Sequence, residues 1–248
     1  MLNQPTIEAL KTLKLNGMVK ALEEQLANPE LQSLTFEERL GLLVDREYID
    51  QENRLMSRRL QRAKLGQSAV LEDIDLRTNR GLEKSMVAGF ASCNWIRTHQ
   101  NVIITGPTGA GKSYLACALG HKACREGFSV LYQRATRLFY ELAIARGEGR
   151  YLRLLKALGQ MDLLIIDDWG LATLQEETRR DLLEIVEDRH SRKSLAIVSQ
   201  IPLDKWHDLI GDPTLAEAIL DRVVHNAHKI NMKGDSMRKK LTKTLNLT

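Results

Sequence analysis

The sequence predicts an α/β protein, with a mostly parallel sheet covered by helices on both faces and a small all-helical domain in front of it. Three observations carry this. Four short apolar runs rich in leucine or β-branched residues, at 101–105 (NVIIT), 129–133 (SVLYQ), 163–167 (LLIID) and 195–199 (LAIVS), alternate with helical patterns. Strands that alternate with helices pair in parallel and are buried on both sides. Residues 1–65 show helical periodicity only, and 43% hydrophobic against 27% charged residues over 248 positions supply a core and exclude global disorder.

In chain order, Ile7, Leu10 and Leu13, then Met18, Leu22 and Leu26, recur at helical spacing, with Asn16-Gly17 as a break between two helices. Asn28-Pro29 ends the second. Thr35 and Glu38 form a capping box, in which hydroxyl and carboxylate satisfy orphan backbone donors. A long helix follows from Phe36 to about residue 64, with Leu40, Leu43, Val44 and Tyr48 on its buried side. Gly66-Gln67-Ser68 stops it. The stretch 69–80 has no period, so the expected division is a helical domain at 1–65, a linker at 66–80 and the sheet domain at 81–248.

The formal net charge of +4 is unevenly placed. From Arg222 onward seven basic residues stand against one acid, Asp235, so this end carries +6 and the rest −2. A second basic stretch, Arg54, Arg58, Arg59, Arg62 and Lys64, has no acid between Asn53 and Leu71. Cys93, Cys117 and Cys124 are odd in number and lack CxxC spacing, which argues against a disulfide framework or a zinc site. Cys117 and Cys124, seven apart on one helix, read as small buried hydrophobes. No apolar run approaches membrane-spanning length, and the expectation is a cytoplasmic protein.

The chemistry begins after the first strand. Gly106-Pro107-Thr108-Gly109-Ala110-Gly111-Lys112-Ser113 fits GxxxxGK[ST] and opens a helix. Such glycines let backbone N–H groups wrap an anion at a helix N-terminus, while the lysine reaches the β/γ-phosphates and the serine ligates Mg²⁺. Fifty-five residues beyond Lys112 a strand ends in Asp167-Asp168. The first acid is the candidate Mg²⁺ ligand and the second the candidate to polarise water. Ser199 and Gln200, ending the fourth strand, are alternative candidates for sensing the γ-phosphate or the attacking water. Thr214 and Glu217 read as another capping box. Arg222, near the end of that helix, is either an arginine finger for a neighbouring subunit or the partner of Asp221 or Glu217.

These motifs resemble the AAA+ ATPases, the DnaA/DnaC initiator and helicase-loader branch, and within it the IstB family of insertion-sequence helper ATPases. The likeness rests on 106–113, LLIIDDWG at 163–170, IVSQIP at 197–202, AILDRVVHNAHKI at 218–230, GDSMRK at 234–239 and LKLNGM at 13–18. It implies a five-stranded sheet of order 5-1-4-3-2, with a fifth strand near 227–232; with ten residues following Arg238, no separate lid domain is expected. It also implies ATP and Mg²⁺ as cofactors, Arg222 acting in trans within a homo-oligomer, and Arg238 as a second phosphate sensor. The partners it implies are double-stranded DNA and a transposase, or a replicative helicase if the chain is a DnaC-like loader. Asp168-Trp169 favours the former, since loaders more usually carry glutamate there.

Arg54, Arg58 and Arg62 share one helix face, with Arg59 and Lys64 beside it. Such a stripe neutralises DNA phosphates or forms a solvated helix face. A P-loop kinase, the rival of a different class, needs an arginine-rich lid, and none is evident between the second and fourth strands.

Overall fold

The computed structural model describes residues 3–76, 80–172 and 174–234. The chain divides into two compact units, one ending at Arg58 and the other starting at Arg59. The first contains α1 (Asn3–Thr12), α2 (Asn16–Ala27), α3 (Pro29–Gln32) and most of α4 (Phe36–Ala63). The capping box forms as read: the Glu38 carboxylate accepts from the Thr35 N–H at 2.8 Å, and the Thr35 hydroxyl accepts from the Glu38 N–H at 3.3 Å.

Two expectations for this unit are corrected. Gly17 does not separate α1 from α2; Lys14, at φ 61°, makes that turn, and Gly17 lies in the first turn of α2. A Cβ on Gly17 would stand 2.6 Å from Glu47 Cα and 2.7 Å from the Arg46 carbonyl oxygen, so α2 and α4 approach backbone to backbone. Leu40, Val44 and Tyr48 are exposed rather than buried. The face turned to α2 is instead that of Glu47, one position round from Tyr48, and its contacts are polar. Glu47 is buried, and its Oε2 accepts from the N–H groups of Gly17 at 2.7 Å and Met18 at 3.2 Å. Its Oε1 accepts from Gln51 and Arg54, each at 2.9 Å. Burial pushes the Glu47 carboxyl up, but these hydrogen bonds and the Arg54 charge outweigh it and hold it below its ordinary value. A carboxylate at the positive end of a helix is itself favourable.

The second unit is the α/β body. Its helices are the end of α4, α5 (Lys84–Ala91), α6 (Asn94–Arg97), α7 (Lys112–Arg125), α8 (Ala135–Gly147), α9 (Tyr151–Gln160), α10 (Glu176–Arg189), α11 (Trp206–Ile210) and α12 (Pro213–Val224). The strands are β1 (Asn101–Thr105), β2 (Val130–Arg134), β3 (Leu163–Trp169), β4 (Ser194–Ser199) and β5 (Ala227–Asn231), within a residue or two of the expected runs. They pair in parallel in the order β2-β3-β4-β1-β5, the expected topology. α12 begins before the expected box: Asp212 caps it by accepting from the Leu215 N–H at 2.9 Å, with Pro213 in the first turn.

Alternation divides the core into two layers. Val102, Ile104, Leu163, Ile165, Ala196 and Val198 face Leu115, Leu119, Cys117 and Cys124 of α7. Ile103, Leu164, Ile166, Leu195 and Ile197 face α8, α9, α10 and α12. Cys117 and Cys124 are fully buried free thiols, as expected. Ala69 and Leu71, in the stretch without periodicity, are buried in the α7 layer.

Asp162 ties three strands together at their N-terminal ends. It accepts from the Ser129 N–H at 2.8 Å, the Ser129 hydroxyl at 2.7 Å and Lys193 Nζ at 2.6 Å. Partial burial acts to raise its pKa, yet Lys193 and Ser129 hold it below 3.8.

Two stability predictions follow from these contacts. Gly17→Ala, which favours an exposed helix by roughly 1 kcal/mol, is expected here to destabilise the first unit by about 1–3 kcal/mol through backbone overlap. Chemical denaturation followed by far-UV circular dichroism measures it, and a stabilised variant would refute the close approach. Asp162→Asn is expected to cost about 1.5–3 kcal/mol at neutral pH. Because the folded pKa is depressed, that contribution is present above the unfolded value and disappears as pH falls through the lower folded value. The wild-type and variant stability curves should therefore converge below pH 3.8.

Candidate nucleotide site

The phosphate loop joins the C-terminal end of β1 to the start of α7. Gly106 has φ 142°, and a Cβ there would overlap the Met232 carbonyl oxygen, so the loop runs hard against the chain leaving β5. Gly111 caps α7 in a left-handed conformation. The N–H groups of the first turn have no intrahelical acceptor and form an anion site. Lys112 is buried, and its Nζ donates to the Pro107 carbonyl at 2.9 Å. Burial pulls the Lys112 amine below its ordinary pKa, against the opposing pull of Asp167 and Asp168. A cavity of about 590 Å³ opens here, lined by Thr108, Gly109, Gly111, Lys112, Ser113, Asp168 and Gln200.

The two acids owe their placement to a break in register. Ile166 pairs with Ile197, but Trp169 pairs with Ser199, so β3 uses one residue more than β4. Asp168 absorbs the extra residue at φ 59°, and its N–H donates to Asp167 Oδ1 at 2.8 Å. Asp167 is buried and accepts from the Tyr132 hydroxyl at 2.6 Å. Burial first, then this hydrogen bond, raises the Tyr132 phenol well above its ordinary value, so it stays a donor. Asp168 is more exposed and lies 3.6 Å from Arg134.

The structure distinguishes Ser199 from Gln200. Ser199 is fully buried; its hydroxyl donates to the Trp169 carbonyl at 2.8 Å and accepts from the Ile201 N–H at 3.0 Å. It therefore braces the turn after β4. Gln200 accepts from the Thr108 hydroxyl at 2.5 Å and lines the cavity.

Other expected residues lie elsewhere. Arg222 donates to the Ala218 carbonyl at 2.9 Å and pairs with Glu187 of α10 at 3.0 Å, not with Asp221 or Glu217. The carbonyls of Arg222 and Val223 accept from the Asn101 amide at 3.3 and 3.1 Å. Arg222 thus stands at the start of β1, about 16 Å of strand from the phosphate loop at its other end. In the first unit Arg54 departs from the expected phosphate-facing stripe. It is held by Glu47 at 2.9 Å, Asp50 at 3.2 Å and the Lys14 carbonyl at 3.3 Å. Arg58 is exposed there; in the second unit Arg62 and Lys64 are exposed and Arg59 is partly so. Arg238 lies outside the described residues.

The cavity also includes residues that sequence reasoning missed: Ile74, Asp75, Arg80, Leu82, Tyr114 and Met232. Ile74 had a signal as an apolar position in the stretch read as linker, and Leu82 as one just after it. Arg80 and Tyr132 had none, because only the fold brings them to the site.

A buried ammonium, an open helix N-terminus and the Ser113 hydroxyl fit a polyphosphate, while Asp167 and Ser113 offer the oxygen ligands Mg²⁺ takes. Fold and site together define an AAA+ P-loop nucleotide-binding protein. The same fold is seen in the crystal structure of DnaI (TM-score 0.56, 18% identity, 66% of this chain and 91% of that one) and in AMPPCP-bound DnaA from Aquifex aeolicus (0.55, 19%, 74% and 56%). More narrowly, the chain belongs to the family of IstB-like ATP binding proteins, whose profile matches residues 8–244. It is 53% identical over 239 residues to y4pL of Sinorhizobium fredii, named as an insertion sequence ATP-binding protein, covering 96% of this chain and 98% of that one. It is 33% identical over 234 residues to the insertion sequence IS21 ATP-binding protein of Pseudomonas aeruginosa, covering 94% and 87%.

Ser199→Ala is expected to lower folding stability by about 1–3 kcal/mol, since it strands a buried N–H and a carbonyl. Gln200→Ala should leave the melting temperature within about 1 °C, because its partner is exposed Thr108, while lowering nucleotide turnover about tenfold or more. Thermal melts paired with phosphate-release assays separate the two roles; the opposite pattern would reverse the assignment.

Proposed function

We propose that this protein is an ATPase whose hydrolysis is coupled to assembly on double-stranded target DNA, where it recruits and activates a partner transposase of an insertion sequence. The observation that best supports the reading is the placement of Arg222 at the end of the sheet remote from its own phosphate loop. A cation that cannot serve its own site, held among the described residues by one carboxylate and a carbonyl, is suited to a neighbour's γ-phosphate. Membership of a family named for ATP binding in insertion sequences supports the rest.

In this mechanism the first turn of α7 and Lys112 bind the β/γ-phosphates. Ser113 and Asp167 would hold Mg²⁺, which would supply neutralisation of phosphate charge, and Tyr132 fixes the Asp167 carboxylate. Asp168 orients and deprotonates the attacking water, with Gln200 at the γ-phosphate. Arg222 of an adjacent copy stabilises charge on the transferring group. Arg59, Arg62 and Lys64 contact DNA phosphates without base readout, giving salt-dependent affinity. Arg54, neutralised within its own unit, is left out of that set.

The test is a mixing experiment. Arg222→Ala should lower DNA-stimulated hydrolysis about a thousandfold, as should Lys112→Ala. An equimolar mixture should regain about a quarter of wild-type activity, because random neighbours pair an intact loop with an intact arginine at that frequency. No recovery would exclude action in trans. Hydrolysis that duplex DNA does not stimulate, or no increase in strand transfer by a purified cognate transposase, would overturn the wider assignment.

A further inference from the structure

The phosphate cavity contains a second buried cation that none of the motifs includes. Arg80 is 6% exposed, and its side chain ends in a cationic guanidinium. A buried charge is stable only when its donors are matched, and among the described residues those of Arg80 are matched incompletely. Nη2 donates to the Asp75 carbonyl at 2.5 Å, the Asp75 carboxylate lies 3.8 Å away at the limit of an ion pair, and Nε has no hydrogen-bond partner among the described residues. Nη1 lies against Gly111, 3.3 Å from where a Cβ would stand.

That position is electrostatically costly in a specific way. Gly111 caps α7, so the guanidinium sits beside the positive end of a helix dipole and in the same cavity as the Lys112 ammonium. Three centres of positive potential converge, and the carboxylates lining the same cavity, Asp73, Asp75 and Asp168, offer no close pairing to Arg80 beyond the 3.8 Å contact. The arrangement is also fixed in place. The Arg80 carbonyl accepts from the Lys233 N–H at 2.9 Å, and a Cβ on Gly81 would stand 2.5 Å from the Asn231 carbonyl oxygen. The backbone bearing Arg80 is thereby pinned to the end of β5, so its head group cannot swing far from the loop.

We propose that Arg80 is a phosphate-binding cation of this site, contacting the phosphate chain of the bound nucleotide beside Gly111 and so favouring di- and triphosphates over nucleosides. The assignment rests on the reading of the cavity as an ATP site. Nε–H, which has no partner among the described residues, and the Nη1 donors beside Gly111 are those an anion would complete, each taking its own phosphate oxygen.

The experiment measures ADP affinity by calorimetry on the full chain, at several salt concentrations, for wild type, Lys112→Ala, Arg80→Gln and Arg80→Lys. Arg80→Gln is expected to weaken ADP binding about tenfold or more and to flatten its salt dependence, while Arg80→Lys retains most of both. Circular dichroism and the ligand-free melting temperature report folding. ADP binding by folded Arg80→Gln within twofold of wild type, with the same salt dependence, would overturn the proposal and leave the ATP-site reading intact. If Arg80→Gln does not fold, the folded Arg80→Met variant takes its place under the same criteria: about tenfold weaker ADP binding with a flatter salt dependence supports the contact, and binding within twofold of wild type overturns it. Wild type that fails to bind ADP, or Lys112→Ala that binds it unchanged, would remove the ATP-site reading itself and Arg80's role with it.

Discussion

The site depends on one extra residue in β3. Side chains alternate along a strand, so Trp169, an odd position like Leu163, Ile165 and Asp167, would without a bulge face α7 with them. The slip between Ile166 and Trp169 returns Trp169 to the opposite layer, where it packs 5.9 Å from Trp206. Asp167 and Asp168 remain at the cavity end, with Asp168 in a left-handed conformation that costs a residue with a Cβ about 1 kcal/mol. Ser199 then bonds the Trp169 carbonyl, the turn after β4 closes on it, and Gln200 is delivered to Thr108. A local irregularity thus sets the acids, the tryptophan pair and the polar contact to the phosphate loop together.

A parallel sheet has two unlike ends, and this protein uses both. The C-terminal ends of β1, β3 and β4 gather the loop, the acids and Gln200, as open α/β sheets do in general. The N-terminal ends gather the bracing contacts. There Asp162 binds Ser129 and Lys193, and buried Arg189, pushed down to about 10 by burial, donates to the carbonyls of Leu158, Asp162 and Ser194. Arg222 belongs to this second end. Its separation from the loop follows from strand direction alone, and the proposed action in trans is the functional counterpart of that polarity.

Much of this was legible in the residues, and the limits have physical reasons. The first four strands were readable because buried parallel strands are continuous apolar runs, and the phosphate loop because its glycines have a stereochemical purpose. The buried face of α4 was misjudged because periodicity identifies apolar stripes but not which one is covered. Leu40, Val44 and Tyr48 look like a core, while the face that packs is built on Glu47, whose burial depends on N–H groups thirty residues away at Gly17 and Met18. Asn16-Gly17 read as a break for a related reason: a glycine needed for close approach has the same sequence signature as one needed for a turn. Tyr132 and Arg80 were illegible, since each acquires its role from a partner brought near only by the sheet.

Buried charge is handled in two ways in this molecule, and the contrast bears on what the cavity binds. Glu47 and Asp162 are each surrounded by donors from several elements, and both carboxyls are held below their ordinary values despite burial. Their networks close within the protein and contribute to folding. Among the described residues Lys112 and Arg80 are matched less completely: one amine rests on the Pro107 carbonyl and is pulled down by burial, and one guanidinium leaves Nε without a partner. Both incompletely matched cations line the same cavity at the start of α7. Electrostatic cost left unrelieved at one place becomes binding free energy for whatever relieves it, and a polyanion that accepts several hydrogen bonds relieves it best. The fit of the cavity to a polyphosphate therefore rests on what the described residues leave unpaired as well as on the glycine loop itself.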